Sequence, residues 1–374
     1  MKVRSVQLYH VSMNLVSPFR THLETVKERD SILVKVTDEH NIHGWGEVVA
    51  FSSPWYTAET IDTAWHMLED FFIPVLFKQE WESPKDVAKA LAMWRGNEMA
   101  KAGLEMAVWD LFARRSNQSL STYIGGVRDT VKAGVVVGID NLPAMLQTIE
   151  QRAAEGYERI KVKIDPTNDY EMLKSIKHSF PTLDVLADAN SAYTLDNIEK
   201  LKRIDSLGLL MIEQPLGASD IVEHSILQGQ METPICLDES IVSVQDAKNA
   251  LYLNSCKTMS IKIGRVGGVT QAIGIHDLCQ ENNIPVWCGG MLEMGISRAF
   301  NIALATLSNF TIPGDISSSD RYWKRDVTFP KVEVKDGEVE VPTSPGIGFE
   351  VDEDYIKSIT KITKTFTKQN IKAL

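Results

Sequence analysis

The stretch RIKVKI, from Arg159 to Ile164, decides the fold because it reads as a short buried strand that carries two lysines. Lys161 and Lys163 are two residues apart, so the alternation of a strand sends both to one face and the aliphatic residues to the other. In a parallel sheet, which is covered on both faces, that side is not bulk water. Two ammonium groups in a confined space are costly unless acidic groups compensate them or chemistry requires them.

Short apolar segments of the same kind recur from residue 130 onward, and helix-length segments separate them. This alternation predicts consecutive β/α units, and eight such strands predict a closed barrel with an outer ring of helices. Two of the intervening segments, 169–180 and 243–255, have the amphipathic pattern of such helices. The eight predicted strands are 133–139, 159–164, 184–190, 209–215, 234–240, 259–265, 285–290 and 311–316.

The two ends of the chain lack this rhythm. Segments 3–15, 30–40 and 43–51 predict an antiparallel meander, and segment 97–115 predicts a helix. Its apolar face would carry Leu104, Ala107, Val108 and Leu111.

The C-terminal region contains KVEVKDGEVEVP at 331–342, in which Asp336 and Gly337 predict a hairpin turn. We therefore predict an α+β capping domain over residues 1–125 and a barrel that carries the active site over 126–320. A C-terminal segment, 321–374, is predicted to return to the capping domain.

Composition excludes several classes of protein. The chain has 39 Lys and Arg against 50 Asp and Glu, a net charge of -11, and no basic run of the kind that binds nucleic acid. No apolar run approaches the ~20 residues that span a bilayer, and the N-terminus lacks the apolar core of a signal peptide. We expect a cytoplasmic protein without membrane or nucleic-acid partners. Its four cysteines and eight histidines show no disulfide or zinc spacing.

Charged residues near the carboxyl ends of successive predicted strands have a regular spacing. The intervals of 25, 25, 25 and 24 residues equal one β/α unit each, so every one of these residues occupies nearly the same height on its strand. In a β/α barrel, active sites assemble at the carboxyl ends of the strands. Three carboxylates should therefore meet between two lysines. The five residues are Lys163, Asp188, Glu213, Asp238 and Lys262.

The three acids, Asp188, Glu213 and Asp238, offer hard oxygen ligands and leave room for water and substrate oxygens. Such a set suits Mg2+, for which Mn2+ can substitute. The alternative is a cluster of ion pairs with the two lysines that only holds the barrel together. A buried ion-pair cluster stabilises a fold poorly compared with apolar packing, and it leaves the shared strand position unexplained.

A lysine beside a divalent cation has a chemical use. Positive charge from the ion and from Lys161, with partial desolvation, should lower the pKa of the flanking lysines and keep Lys163 neutral and basic. A Lys161 that is simply paired with a nearby acid is the alternative. A base beside a cation suggests removal of a proton from the carbon next to a carboxylate. Lys262, across the barrel, would protonate the opposite face or stabilise charge there.

Five motifs resemble those of a known family. They resemble the muconate lactonizing enzyme subgroup of the enolase superfamily, whose sites combine lysine or histidine bases with Mg2+. The resemblance implies a modified (β/α)7β barrel of the TIM type with an α+β capping domain that the C-terminal segment completes. The motifs are KVK at 161–163, DAN at 188–190, EQP at 213–215, DES at 238–240 and IKIGRVGG at 261–268.

Four further segments, 44–60, 96–111, 287–299 and 313–323, resemble one branch of that subgroup, the o-succinylbenzoate synthases and N-acylamino acid racemases. Carried over residue by residue, the resemblance implies a ligand set for Mg2+, a pair of acid/base lysines and two auxiliary residues. These are Asp188, Glu213 and Asp238 as ligands, Lys163 and Lys262 as the pair, and Lys161 and Asn190 as auxiliary residues.

This branch implies two reactions. A synthase removes water from 2-succinyl-6-hydroxy-2,4-cyclohexadiene-1-carboxylate in menaquinone biosynthesis, with Lys163 moving the proton and Lys262 stabilising charge. A racemase of N-acylamino or N-succinylamino acids would need both lysines to exchange protons, and one protein with both activities is also possible. Racemising relatives often carry a hydroxyl residue near Val136. The all-valine strand here favours the dehydration, while a non-catalytic barrel is disfavoured by the complete set of five residues.

Specificity should come from the capping domain. The segments 17–25 and 51–59 carry Phe19, Trp55 and Tyr56, which would close over the ligand and exclude water, as would Arg20. For Trp55 and Tyr56 the alternative is packing between cap and barrel.

Backbone N-H groups at Gly289, Gly290 and Met291, after the seventh strand, would bind a carboxylate of the substrate, although glycine at a tight bend needs no such function. The expected partner is thus a small-molecule carboxylate. A homo-oligomer is an open alternative to a monomer.

Overall fold

The stretch RIKVK forms the second strand of a seven-stranded parallel sheet in the computed structural model, which describes residues 1–20, 24–138, 140–167 and 169–372. Thr21, His22 and Leu23 of the predicted cap loop, the side chain of Arg20, and Ile139 of the first predicted barrel strand lie outside the described residues. Within the described ranges, no helix combines the length and the apolar character needed to cross a bilayer.

Two separate sheets organise the chain. The strands are β1 (Val3–Arg20), β2 (Thr25–Asp38), β3 (His43–Val48), β4 (Thr130–Lys132), β5 (Gly134–Val137), β6 (Arg159–Lys163), β7 (Asp184–Asp188), β8 (Met211–Glu213), β9 (Ile235–Leu237), β10 (Thr258–Ile261), β11 (Val286–Cys288), β12 (Thr328–Phe329), β13 (Glu338–Glu340), β14 (Glu350–Val351) and β15 (Thr360–Phe366). The antiparallel sheet has the order β15-β1-β2-β3, and the parallel sheet runs in chain order from β5 to β11.

Helices cover both sheets. They are α1 (Ile61–Met67), α2 (Ile73–Leu76), α3 (Pro84–Leu91), α4 (Glu98–Arg115), α5 (Leu120–Tyr123), α6 (Leu142–Ala154), α7 (Asp169–Ser179), α8 (Ile198–Asp205), α9 (Val222–Gln228), α10 (Val244–Leu253), α11 (Val269–Glu281), α12 (Gly295–Ala305) and α13 (Glu353–Ile359), with a π-helical segment at Leu68–Phe72 and 3-10 turns at Leu195–Asn197 and Ser319–Arg321. Side-chain caps define several starts: Ser243 accepts from Asp246 N at the start of α10.

The predicted fold class, a parallel β/α barrel with a separate α+β cap, is confirmed, with a difference at the eighth strand. Segment 311–316 is not an extended strand. Its backbone still joins both neighbours, because Gly134 N donates to Gly314 O at 2.7 Å and Asp315 N donates to Cys288 O at 2.8 Å. The barrel therefore closes through an irregular segment rather than an eighth regular strand.

The predicted helix is present as α4, and its four predicted apolar residues pack in one cluster, but the opposite side of the helix is buried as well. Its residues from Met99 to Ala113 are all buried, because the helix lies between the antiparallel sheet and the barrel. Glycines make this close approach possible: a Cβ atom at Gly44 would lie 2.2 Å from Ala107 O, and one at Gly46 would lie 2.0 Å from Gly103 O.

The C-terminal region contacts both parts of the molecule. The predicted turn at Asp336 and Gly337 is present, with φ of 49° and 72°, but the following strand β13 pairs with β4. The last strand, β15, pairs antiparallel with β1 and so adds the chain's end to the capping sheet. The domain boundaries at residues 125 and 320 stay a prediction.

Buried carboxylates dock the capping domain on the barrel. The two Glu47 oxygens accept hydrogen bonds from Met294 N and Ser297 N, each at 2.9 Å, at the start of α12. Glu105 of α4 accepts in the same way from Thr270 N at 3.0 Å and from Val269 N at the start of α11. A helix N-terminus favours an anion, so each contact joins the cap to a barrel helix next to the strand ends.

Candidate active site

Strand register brings the predicted residues together at one end of the barrel. Lys163 is directly opposite Asp188 on β7, and Asp188 is opposite Glu213 on β8. Asp238 follows β9 and Lys262 follows β10, so the remaining two come from the next two strands of the same sheet. The three acids are at most 1% exposed, and Lys262 is 6% exposed. The regular spacing thus corresponds to one buried cluster.

Lys161 lies among the acids. Its Nζ atom is 3.0 Å from Asp188 Oδ2, 2.7 Å from Glu213 Oε2 and 3.0 Å from Asp315 Oδ2. The ammonium also lies 4.8 Å from the centre of the Trp287 ring, which favours a cation. The structure therefore gives Lys161 acid partners, as one of the two sequence alternatives expected.

The two outer lysines pair with different carboxylates. Lys163 Nζ donates to Asp188 Oδ2 at 2.7 Å and also to Asn190 Oδ1. Lys262 Nζ donates to Asp238 Oδ2 at 2.7 Å and to the Tyr56 hydroxyl at 2.8 Å. Lys163 and Lys262 are thus held by different carboxylates of the acid cluster, Asp188 and Asp238.

The protein's own groups raise the pKa values of Lys161 and Lys262, and the predicted lowering by a bound cation stays a prediction. Burial lowers the pKa of Lys161, but Asp188, Asp315 and Glu213 outweigh it and raise the pKa well above its ordinary value. Burial likewise lowers the pKa of Lys262, and Asp238 raises it to a net value above the ordinary one.

The carboxylates differ in charge balance. Burial raises the pKa of Asp188, but Lys161 and Lys163 lower it to about 2. Burial and then the neighbouring Asp188 raise the pKa of Glu213 well above its ordinary value, despite Lys161. The site therefore compensates the charge of Asp188 more fully than that of Glu213.

The acid cluster fits a hard divalent cation in its chemistry. Across the described ranges, no three acidic, histidine or cysteine side chains are already arranged around a common metal position, because lysine and arginine groups contact the acids. Glu213 Oε2 is buried, and its contact is the ion pair with Lys161 Nζ at 2.7 Å, which leaves acceptor capacity for a cation. Buried carboxylates with spare acceptor capacity are suitable ligands for Mg2+ or Mn2+.

A cavity of about 80 Å³ opens over this cluster. Its lining includes all five residues predicted to contact substrate, along with both outer lysines. The capping aromatic rings pack together at its edge, with centroids 4.5 Å apart for Phe51 and Trp55. The five are Phe19, Trp55, Val136, Gly290 and Met291. Their roles stay predictions.

Sequence reasoning missed several residues of the site. Arg265 donates to Asp238, Asp315 pairs with Lys161, and Arg298, which is 2% exposed, lines the cavity. Two signals were present in the sequence: Arg265 follows Lys262 by three positions, and Asp315 is the last residue but one of the eighth predicted strand.

The buried amide of Gln214 organises two strand ends and was also missed. Its Oε1 accepts from Asp238 N at 2.9 Å, and its Nε2 donates to Ser240 Oγ at 2.7 Å. The bond from Asp238 N holds the backbone of Asp238 beside the end of β8. Gln214 has a φ of 39°, so the chain makes a sharp turn immediately after Glu213.

Comparison with known families identifies the fold. Residues 144–355 match the family described as enolase C-terminal domain-like, and residues 3–125 match the mandelate racemase / muconate lactonizing enzyme N-terminal domain. The chain belongs to the mandelate racemase and muconate lactonizing enzyme family. The enolase-superfamily resemblance that the motifs indicated is thereby confirmed.

Within this family, two kinds of relative are similar over nearly the whole chain. The o-succinylbenzoate synthase of Bacillus subtilis (strain 168) is 52% identical over 367 residues, covering 98% of this chain and 99% of the relative. The N-succinylamino acid racemase of Amycolatopsis sp. is 44% identical over 363 residues, covering 96% and 98%. A crystal structure of an enolase superfamily member from Listeria innocua Clip11262 has a TM-score of 0.96 and 41% identity, covering 98% of this chain and 99% of that one.

Proposed function

We propose that this protein is an o-succinylbenzoate synthase, a carbon-oxygen lyase that acts by removing a proton next to a carboxylate. It would convert 2-succinyl-6-hydroxy-2,4-cyclohexadiene-1-carboxylate to 2-succinylbenzoate in menaquinone biosynthesis. The observation that carries the proposal is one cavity lined by Lys163 and Lys262, each paired with a different buried carboxylate. The 52% identical synthase from Bacillus subtilis supports the choice of reaction.

Asp188, Glu213 and Asp238 would hold Mg2+, or Mn2+ in its place. When bound, the cation would offset the negative charge that develops on the substrate carboxylate as the proton leaves. All three side chains are buried at neighbouring strand ends, so they can act together on one ion. Glu213 Oε2, whose contact is the ion pair with Lys161 Nζ at 2.7 Å, has acceptor capacity left for the cation, and this supports the assignment.

Lys163 would move the proton. As a neutral amine it takes the proton from the ring carbon next to the carboxylate, and that C-H bond breaks. The electron pair then forms the new ring double bond as the hydroxyl leaves from the same face, and Lys163 returns its proton to make water. Asp188 and Asn190 hold the amine at the cavity wall during both transfers.

Lys262 would remain protonated in the dehydration. Its contacts with Asp238 and Tyr56 favour the cation, and it lines the cavity beside the acid cluster. A fixed positive charge there would stabilise the negative charge of the substrate as it develops. The capping aromatic residues Phe19 and Trp55 would exclude water from the reacting ring.

Racemisation of N-succinylamino acids is the second candidate, alone or as a second activity. The paired lysines permit it, and the 44% identical racemase from Amycolatopsis sp. favours it. Val136, which lines the cavity, supplies no hydroxyl to meet the substrate amide, and this favours the dehydration.

Two assays on the purified protein with Mg2+ test the choice. Turnover of the cyclohexadiene acid should be followed by the absorbance of the aromatic product, with Lys163→Ala as the inactive control. Incubation of N-succinylamino acids in deuterated buffer should then be followed by NMR and chiral chromatography. Fast exchange and racemisation with no aromatic product would show that the protein is a racemase and not a synthase.

The substrate would be a small-molecule carboxylate, and the enzyme would act in the cytoplasm. The alternative of a homo-oligomer stays open, and size-exclusion chromatography with light scattering decides it.

A further inference from the structure

Glu239 follows a predicted metal ligand, and the proposed mechanism gives it no task. Its Oε1 accepts a hydrogen bond from Asn190 Nδ2 at 3.0 Å. Its Oε2 is buried and has no hydrogen-bond donor. The hydrogen bond from Asn190 is therefore the contact that connects the Glu239 carboxylate to the site.

Asn190 connects Glu239 to Lys163. Its backbone has a φ of 41°, in the left-handed region, and its N-H donates to Asp188 Oδ1 at 3.1 Å. The side-chain oxygen of Asn190 accepts from Lys163 Nζ. The amide thus lies between an acceptor on one side and a donor on the other.

Chemistry fixes which way this amide faces. The Asn190 oxygen can only accept and its nitrogen can only donate, so the two ends are not interchangeable. The Glu239 oxygen requires the NH2 end. The carbonyl end is then left for an N-H group of Lys163, which needs an acceptor.

The orientation matters because a neutral lysine amine has two N-H bonds and one lone pair. Asp188 Oδ2, 2.7 Å from Nζ, and Asn190 Oδ1 provide acceptors for both hydrogens. The lone pair then points away from both acceptors. Lys163, Asp188 and Asn190 all line the cavity, where the substrate would bind. An Asn190 amide turned the other way would present N-H groups to Lys163 and compete for its lone pair.

We infer that Glu239 is a positioning residue that orients Lys163 for proton transfer through the side-chain amide of Asn190. This inference rests on the proposed function, in which Lys163 is the base. Glu239 touches neither substrate nor the reacting atoms in this role. It acts by keeping the acceptor end of Asn190 toward the amine.

The test compares Glu239→Gln with the wild type in the dehydration assay. A glutamine can present either end of its own amide, so Asn190 is no longer held in one orientation. We expect kcat to fall about tenfold because the base is misaligned. KM and the Mg2+ affinity, measured by calorimetry, should stay within about twofold. Glu223→Gln, at an exposed position of α9, is the matched control and should leave kcat unchanged.

A double-mutant cycle separates this role from a merely structural one. Asn190→Ala should lower kcat, and adding Glu239→Gln to it should cause no further loss, because the relay is already broken. Losses that multiply would overturn the inference, as would an unchanged kcat in Glu239→Gln. A fall in Mg2+ affinity together with kcat would instead make Glu239 a metal ligand and overturn it.

Two controls keep the result interpretable. If Glu239→Gln does not fold, Glu239→Asp replaces it in the double-mutant cycle. This variant keeps the carboxylate on a shorter side chain, so the expected loss of kcat is smaller. If the wild type is active and the Glu239 variant has an unchanged kcat, the inference is overturned and the proposed function is not. A wild type without turnover would overturn the proposed function and this inference with it.

Discussion

Lys262 Nζ donates a hydrogen bond to the hydroxyl oxygen of Tyr56 at 2.8 Å, which joins a barrel lysine to a residue of the capping segment. Arg265 Nη1 donates to the same oxygen at 3.2 Å. Burial and the nearby Asp238 raise the pKa of Tyr56 to about 12, so the hydroxyl stays neutral. The cap therefore contacts the charge network of the barrel directly, in addition to covering the cavity.

Tyr56→Phe should weaken the positioning of Lys262. The loss of one hydrogen bond is worth about 1 kcal/mol, or roughly fivefold in rate for a step that depends on this lysine. We expect deuterium exchange of N-succinylamino acids to slow for one enantiomer, the one whose proton faces Lys262. NMR of each enantiomer measures this effect, with Tyr252→Phe, at an 86% exposed position, as control. Equal slowing of both enantiomers would contradict the assignment.

Lys163→Ala should abolish the dehydration. The loss of a general base lowers kcat by about 10²- to 10⁴-fold. Mg2+ binding should persist or tighten, because a positive charge beside Asp188 is removed. Stopped assays and calorimetry measure the two quantities, and Lys248→Ala, at an exposed position of α10, is the control. Substantial remaining turnover would refute the role of Lys163 as the base.

Glu213→Gln should weaken Mg2+ binding and activity together. Its carboxylate is fully buried between Asp188 and Asp238, and an amide would supply the cation with one neutral oxygen instead of a charged pair. Titration with Mn2+ followed by electron paramagnetic resonance gives the affinity, and Glu223→Gln is the exposed control. Unchanged affinity in Glu213→Gln would mean that the metal site is elsewhere.

Stability should fall between about pH 4.5 and pH 7 through the two docking carboxylates. Burial raises the pKa of Glu47 and of Glu105 from 4.5 to about 7, although backbone N-H groups act in the opposite direction. In that window the folded state keeps protons that the unfolded state has lost. Each group therefore lowers the free energy of unfolding as pH rises, by at most about 1.4 kcal/mol per pH unit.

Thermal melts of the wild type and of Glu105→Gln across pH 5 to 8 test this prediction, with Glu223→Gln as control. The variant should be less stable at low pH, because its amide replaces a hydrogen-bond acceptor by a donor. Its Tm should fall less steeply with pH than that of the wild type. Parallel curves would show that Glu105 does not titrate in this range.

Much of the architecture could be predicted from local pattern. The regular spacing of Lys163, Asp188, Glu213, Asp238 and Lys262 follows from the length of a β/α unit, so it identified the residues that meet at one end of the barrel. The helix α4 could not be predicted as fully buried, because its environment is made by segments far away in the chain. The eighth barrel strand was predicted as regular, yet 311–316 joins its neighbours through only a few backbone hydrogen bonds at Gly314 and Asp315.

The sequence by itself determined which side chains share a strand face and a strand end, because the periods of strands and of β/α units are properties of the backbone. Tertiary structure alone decided the partners: that Lys161 lies among three carboxylates, that Tyr56 reaches Lys262, and that Asn190 connects Glu239 to Lys163. These contacts depend on how loops and the cap fold over the barrel. The physical reason is that electrostatic and hydrogen-bonding interactions depend on distances in space, which chain periodicity does not specify.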